Sequence, residues 1–420
     1  MNWRINRRHF MAGVGGAALL ALTSQAALSA DAVKVGVVLP LTGISATIGN
    51  QTMNGAKAAA EQINEKGGVA SLGGAKLELI FADSQSKPDI GASEVERLIQ
   101  REGVATVLGA YNSGVTFPAS EVAERYKTPW IVTGAVKDEI TERNFKYVFR
   151  PANKATYDAR EQLDAIEMLT KEFGTGPKTI GLFYEGTDWG RSHAANVKKL
   201  AEERGYTIAL DESYPPAQVD FTAQLLKIRS SKPDALIIAA YTPDHILFSR
   251  QMFENRLSIP FGIHTVGGGA EDPAYYEAVP PKANEYMFIQ EDWRIDSLSN
   301  NPDPELVEIN DRYKKLGKYD LNSFASQGVG AVYLLKDALE RSGSADKEAI
   351  RKALTETDIT SGLALAQGFD RIKFDEQGQN TFAHGVISQT LDGNRVTIWP
   401  AESRAEGVRP AWPVPDWSSR

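Results

Sequence analysis

The chain has 420 residues, of which 42% are hydrophobic and 24% charged, enough for about two or three domains with real cores. Its 46 Lys and Arg against 54 Asp and Glu leave a formal net charge of −8, and no long basic run follows the first residues, which argues against nucleic acid and anionic membrane as partners. Cysteine is absent, so disulfides, thiol nucleophiles and Cys-based metal sites are excluded together.

Met1 to Arg8 is polar and basic, Arg7-Arg8 precedes His9-Phe10-Met11, and Ala12 to Leu28 is an apolar run of small residues too short for a comfortable membrane span. Residues 1–30 therefore read as an export signal, with cleavage after Ala30 or Ala32. The paired arginines resemble the twin-arginine type, with a Sec signal that carries two arginines as the alternative. Gly13-Val14-Gly15-Gly16-Ala17-Ala18 loosely matches a dinucleotide fingerprint, but it lies inside the leader with no strand before it. No other run of about eighteen apolar residues occurs. A mature protein in the periplasm, without stable membrane insertion, is the expectation.

Val33 to Leu39 is a nearly continuous apolar strand of the kind a doubly covered parallel sheet needs. Pro40 to Asn50 reads as a turn-rich loop, Gly55 to Glu65 as a helix stopped by Gly67-Gly68, and Leu77 to Ala82 as a second strand. Asp89 to Glu102 is helical, with Ile90, Val95, Leu98 and Ile99 in amphipathic spacing. Val104 to Leu108 is a third strand and Pro129 to Thr133 a fourth.

Between those two strands lies Gly109-Ala110-Tyr111-Asn112-Ser113-Gly114-Val115-Thr116-Phe117-Pro118, a polar turn before a helix over Ala119 to Tyr126. Such a turn sets a hydroxyl and free backbone N–H groups at the carboxyl end of a strand, where a helix start favours an anion. An ordinary βα loop with Ser113 or Thr116 as N-cap is the plainer reading.

Beyond Phe149-Arg150-Pro151 the pattern restarts: helix over Tyr157 to Phe173, strand over Thr179 to Tyr184, helix over Gly190 to Gly205, helix over Phe221 to Arg229, strand over Ala235 to Ala240. This alternation predicts α/β architecture in two serial halves. Glu305 to Leu316 and Gln327 to Arg341 add helices, and Phe382 to Ser388 with Arg395 to Trp399 form a hairpin around Asp392-Gly393-Asn394. The Pro-, Arg- and Trp-rich tail from Glu402 reads as extended on the surface.

Val33-Lys34-Val35-Gly36-Val37-Val38-Leu39-Pro40-Leu41-Thr42-Gly43, Ile63-Asn64-Glu65-Lys66-Gly67-Gly68-Val69 and Asn112 to Pro118 together resemble the periplasmic branched-chain-amino-acid-type binding proteins of ABC importers. Tyr184-Glu185-Gly186-Thr187-Asp188-Trp189-Gly190 and Phe374-Asp375-Glu376-Gln377-Gly378 fit the same series, whose order covers nearly all of the mature chain. The resemblance implies two Rossmann-like doubly wound lobes joined by a three-crossover hinge, the periplasmic binding protein type I fold. By that pattern 31–153 and 286–378 make lobe one, 154–285 and 379–401 lobe two, and 402–420 the tail.

It also implies a site. Ser113 matches the serine that binds the ligand carboxylate, flanked by Asn112 and Tyr111, and Gly134-Ala135-Val136-Lys137 matches a segment that binds the same head group. The family's threonine there is replaced by Val136 or Lys137. Trp189 and Tyr241 match aromatic residues of lobe two that cover the ligand, with packing beneath the following helices as the alternative for each. Lys137 reads as a surface lysine or as a counter-charge in the cleft.

Departures bear on the ligand. The acidic residue that holds an ammonium in amino-acid binders is missing from Ile263-His264-Thr265-Val266-Gly267-Gly268-Gly269, with Glu271 and Asp272 as displaced substitutes. An α-amino acid is thereby in doubt, because a buried unpaired ammonium costs several kcal/mol. Ile48 and Val329 stand where some relatives carry aromatic residues. With Trp189, Tyr241 and His264 retained, the cleft suits an amide, an aromatic or other carboxylate, or a short hydrophobic compound.

The resemblance implies a small-molecule ligand, permease and ATPase subunits as partners, a monomer, and neither cofactor, metal nor catalytic residue. A ligand sensor for a membrane receptor needs the same clamp. An exported hydrolase is the other alternative, but among His9, His193, His245, His264 and His384 no His-Glu-x-x-His occurs, and neither a Gly-x-Ser-x-Gly elbow nor a P-loop is present. A triad of Ser113, His264 and an aspartate has no support in spacing.

Overall fold

The apolar run Val33–Leu39 forms strand β1, buried throughout except at Lys34. The computed structural model describes residues 31–292 and 303–417. The residues read as an export signal lie outside the described residues, as do 293–302 of the expected return segment and the last three tail positions. With β2 (Leu77–Asp83), β3 (Thr106–Ala110), β4 (Trp130–Thr133) and β5 (Val148–Phe149), β1 builds a parallel sheet in the order β2-β1-β3-β4-β5. Helices α1 (Ala46–Glu65), α2 (Pro88–Arg97) and α3 (Ser113–Arg125) connect its strands.

The second sheet takes β6 (Thr179–Glu185), β7 (Thr207–Tyr214), β8 (Ala235–Ala239), β9 (Ile263–Val266) and β10 (Phe288–Glu291), preceded or linked by α4 (Ala155–Phe173), α5 (Asp188–Glu203), α6 (Thr222–Ser231), α7 (Thr242–Glu254), α8 (Pro273–Ala278) and α9 (Pro281–Asn284). The chain then returns to the first sheet with α10 (Pro304–Leu316), α11 (Ser323–Ser342) and α12 (Lys347–Thr355), whose apolar faces share one core with α1 and β1. After the short ribbon β11 (Asp358–Ile359) and β12 (Ile372–Lys373), the hairpin β13 (Val386–Leu391) and β14 (Asn394–Trp399) completes the second sheet in the order β14-β13-β10-β9-β8-β6-β7. Each sheet with its helices is one lobe. The chain thus crosses between the lobes after β5, after β10 and after β12.

The elements differ from the sequence expectation at several places that bear on the site and the lobes. Helix α1 already begins at Ala46, inside the stretch expected as a loop. Strand β3 runs on to Ala110, and α3 starts at Ser113 rather than Ala119, with Asn112 in the extended N-cap conformation and Pro118 inside the helix. Strands β7, β9 and β10 and helix α7 were not anticipated. Because β10 is fully buried and pairs between β9 and β13, the return to lobe one comes after Glu291, not at Tyr286. The tail runs over the surface of lobe two with many of its residues exposed, but it is anchored there: Trp412 and Val414 are buried, and Trp412 Nε1 donates to Thr175 O at 2.7 Å while Val414 N donates to Pro260 O at 2.9 Å.

Candidate functional site

The carboxyl ends of both sheets face each other, the position at which open α/β sheets take ligands. On lobe one, β3 ends in Ala110, and Tyr111 turns the chain with a φ of 55° while its N–H donates to Thr133 O at 3.0 Å. Asn112 caps the backbone of α3, and its Nδ2 donates to Ser45 Oγ at 2.9 Å and across the cleft to Tyr241 Oη at 3.1 Å. Ser113, first residue of α3, accepts from Lys137 N at 3.2 Å, which ties the helix start to the loop after β4.

On lobe two, the buried Glu185 at the end of β6 accepts from Thr187 N at 2.9 Å and Gly190 N at 3.1 Å, fixing the first turn of α5 and with it Trp189. Tyr241 precedes α7, and its ring lies 4.8 Å from that of Trp189. After β9 the chain passes through Gly267 and Gly268. A Cβ at Gly267 would stand 2.9 Å from the Trp189 ring and one at Gly268 would stand 2.5 Å from Tyr111 Oη, so the missing side chains let both rings close on the loop.

Between these elements lies a cavity. One wall is aromatic: Trp189 lies against Tyr241, Tyr241 against Tyr111, and Tyr111 edge-on to Phe324 at 5.8 Å. Ser113, Gly134 and Val136 line it from lobe one, Val266, Gly267 and Gly268 from lobe two.

The remaining lining is polar and acidic: Asp158, Glu271, Gln290, Asp292 and Gln327. Gln290 Nε2 donates to Asp158 Oδ1 at 3.2 Å and Glu161 Oε2 at 2.9 Å, Asn153 Nδ2 donates to the same two oxygens at 3.0 and 3.1 Å, and Gln327 Nε2 donates to Asp292 Oδ2 at 2.8 Å. Burial raises the pKa of Asp158, Glu271 and Asp292, helped at Glu271 by Glu291 and Asp292, and it pushes Glu161 up to about 7. Gln290 Oε1 and Gln327 Oε1 are buried acceptors with no hydrogen-bond partner among the described residues, and Glu271 has the Ser323 hydroxyl beside it. No group of three or more His, Asp or Glu side chains among the described residues is arranged to hold a metal ion.

Of the sequence-expected residues, Tyr111, Ser113, Gly134, Val136, Trp189 and Tyr241 line the cavity. Asn112 and Ala135 are buried behind it. His264 belongs elsewhere: its side chain stacks on Phe288 at a ring distance of 4.4 Å, its Nε2 lies 3.0 Å from Phe261 O, and burial lowers its pKa to about 4. It sits deeper in β9, two residues before the cavity-lining Val266, and its side chain is enclosed between Phe288 and Trp412 in the core of lobe two. Lys137 is neither a free surface lysine nor a cavity residue, since its Nζ bonds Asp188 Oδ2 across the lobes at 2.8 Å.

Of the two acids expected as displaced substitutes after His264, Glu271 lines the cavity, together with Asp158 from α4 and Asp292 after β10. Asp272 instead joins the lobes, accepting from Thr47 Oγ1 at 2.6 Å and Gln51 Nε2 at 3.1 Å. Phe324 and Gln327 come from α11. The signal for Gln290 and Asp292 was their place at the carboxyl end of a strand, hidden while that strand was unrecognised.

Residues 32–391 match the model of a family described as periplasmic binding protein. A Leu/Ile/Val-binding protein homolog 7 of Brucella suis biovar 1 (strain 1330) is 33% identical over 405 residues, covering 94% of this chain and 97% of that one. The fold is similar to that of a leucine binding protein from Thermotoga maritima MSB8, with a TM-score of 0.75, 24% identity and coverage of 87% and 97%. It is also similar to a solute binding protein of an ABC transporter from R. palustris in complex with benzoate, with a TM-score of 0.74, 21% identity and coverage of 87% and 95%. Among the described residues no helix is long and apolar enough to cross a membrane. The chain belongs to the periplasmic binding proteins of type I fold, a family of solute-binding proteins of the branched-chain amino acid ABC-transporter type and not of enzymes.

Proposed function

We propose that the protein is exported to the periplasm by its first thirty or so residues, captures a small solute in the cavity between its lobes and delivers it to an ABC import permease. The observation that carries this is the cavity itself, lined from lobe one by Ser113 at the start of α3 and from lobe two by Trp189 and Tyr241. A ligand that touches both walls binds the closed form better than the open one, and closure is then a population shift. Ser113 and the backbone at Gly134 and Val136 suit a carboxylate or amide head group, because a hydroxyl and a helix start replace its hydration. The buried carboxyls of Asp158, Glu271 and Asp292 supply the countercharge whose absence argued against an ammonium, so amino acids return to the candidates.

The test uses mature protein unfolded and refolded to strip bound solute, then screened against a nutrient panel. One compound should raise the melting temperature without being turned over, as binding to the native state alone requires. Ser113→Ala should weaken binding of that compound by about 1.5–3 kcal/mol, the loss of a hydrogen bond to a charged group. Turnover would sink the binding-protein reading; unchanged affinity would remove Ser113 from the site.

A further inference from the structure

The solute cavity is unusual in its balance of donors and acceptors. Asp158, Glu271 and Asp292 bring three carboxyls to its lining, and no Lys or Arg among the described residues lines it with them. Three further facts separate this lining from an ordinary polar wall. Glu271, Gln290 and Gln327 are each only 4% exposed; Gln290 Oε1 and Gln327 Oε1 are without a donor among the described residues, and Glu271 is served by the Ser323 hydroxyl. Their own donors are committed elsewhere: Gln290 Nε2 to Asp158 and Glu161, Gln327 Nε2 to Asp292. Buried acceptors left without donors cost free energy, and a ligand rich in N–H groups removes that cost where a branched aliphatic side chain cannot.

A single α-ammonium offers three N–H groups and one positive charge. It cannot satisfy the two orphan amide oxygens and also balance three carboxyls brought from α4, from the loop after β9 and from the residue after β10. We propose, building on the solute-binding reading above, that the physiological solute is a basic compound: it carries an amine, amidinium or guanidinium group beyond any α-ammonium, and that group sits among Asp158, Glu271, Asp292, Gln290 and Gln327.

The charged groups around that position are Asp158 and Glu161 from α4, Glu271, and Glu291 and Asp292 at the end of β10. Arg395 of β14 is engaged with Glu291 at 2.8 Å, while Arg160 and His384 act on Glu161 and Asp292 over longer range. Burial favours the protonated carboxyls in the absence of a cation. A cation entering the cavity therefore expels protons from them, and a neutral side chain does not.

The experiment is calorimetric titration of the stripped, refolded mature protein with L-arginine, L-ornithine, putrescine, L-leucine and benzoate at pH 6, each in two buffers of different ionisation enthalpy. A basic compound should bind about tenfold or more tightly than leucine or benzoate and should release protons as it binds. Glu271→Gln and, separately, Asp292→Asn should each lower its affinity about tenfold or more while leaving the melting temperature of the free protein in place or raising it. Leucine or benzoate binding more tightly than every basic compound overturns the inference and leaves the solute-binding reading intact. Binding of a base without proton release, with affinity indifferent to both substitutions, overturns it too. Failure of all five to bind also overturns it, whereas the solute-binding reading fails only if the solute is turned over or no compound of the wider panel stabilises the protein.

Discussion

His264 is stacked on Phe288 and edge-on to Trp412, and its imidazolium would have to be desolvated there. Burial lowers its pKa from 6.5 to about 4, so between those values the unfolded chain holds a proton that the folded chain refuses. The folded state is therefore favoured as pH rises through that window and penalised as pH falls through it, by about 2 kcal/mol between pH 7 and pH 5 for one such group. His264→Phe keeps the stack and removes the titration. Denaturant melts at both pH values should show a smaller loss on acidification than the parent, by about that amount; an equal loss would mean that His264 does not titrate in this window. The same residue shows what sequence reading can and cannot reach at this scale. Ser113, Trp189 and Tyr241 sit in local motifs at strand ends and were legible. His264 also stood near a strand end, but it sits within β9, two residues short of the cavity-lining Val266, and at the rise of a strand residue that is about 7 Å too deep to reach the cleft. Asp158, Glu271 and Asp292 come from three separate stretches with no shared local pattern, so only the fold brings them together.

At the scale of elements, the tail is the clearest divergence between composition and structure. A stretch rich in Pro and Arg reads as a surface strap, yet it carries Trp412, and a large ring with one N–H is most stable half in a core and half on a carbonyl. The structure meets both needs: Trp412 packs against Phe261 at 4.9 Å and Phe288 at 5.7 Å, and its Nε1 donates to Thr175 O. Trp417 repeats the device, with Nε1 on Leu257 O at 2.6 Å and its ring edge-on to Phe253. The tail thus clamps the loop after α4, the outer end of β10 and the turn after α7. Trp412→Ala should destabilise lobe two by about 3–5 kcal/mol, as truncating a buried aromatic side chain does. Urea unfolding followed by a lobe-two signal should move its midpoint down accordingly. An unmoved midpoint would make the tail a passive strap after all. The strands and helices themselves were largely legible because apolar runs and helical periodicity are local. Strand β7 is not legible because its outer position leaves it only partly buried, which blurs the apolar signal, and the first turns of α3 are not because Pro118 reads as a boundary from sequence alone.

For the whole molecule, polar contacts join the two lobes around the aromatic wall, in which Tyr111 meets Tyr241 across the cleft. Asp272 of lobe two accepts from Thr47 and Gln51 of α1, Asn112 donates to Tyr241, Lys137 pairs with Asp188, and Glu277 accepts from Lys318 at 2.8 Å. Each of these partners can be hydrated when the lobes part, so the contacts bias the closed form only modestly, and the solute must supply the rest by touching both walls. That arrangement makes affinity depend on residues that never meet the solute. Thr47→Val with Gln51→Leu removes two donors from Asp272 in the closed form, while Thr242 Oγ1 at 3.0 Å and Ala274 N at 3.0 Å still serve it. In the open form water replaces the lost donors. The closed form is then disfavoured by about 1–3 kcal/mol, and where the open form predominates the apparent affinity falls in proportion to the closed fraction, about fivefold to a hundredfold. The loss should appear chiefly as faster dissociation. Small-angle scattering should find the solute-free variant at least as extended as the parent, with compaction restored at saturating solute. An affinity equal to the parent's would mean that Asp272 contributes nothing to closure and that the solute alone sets the balance between open and closed lobes.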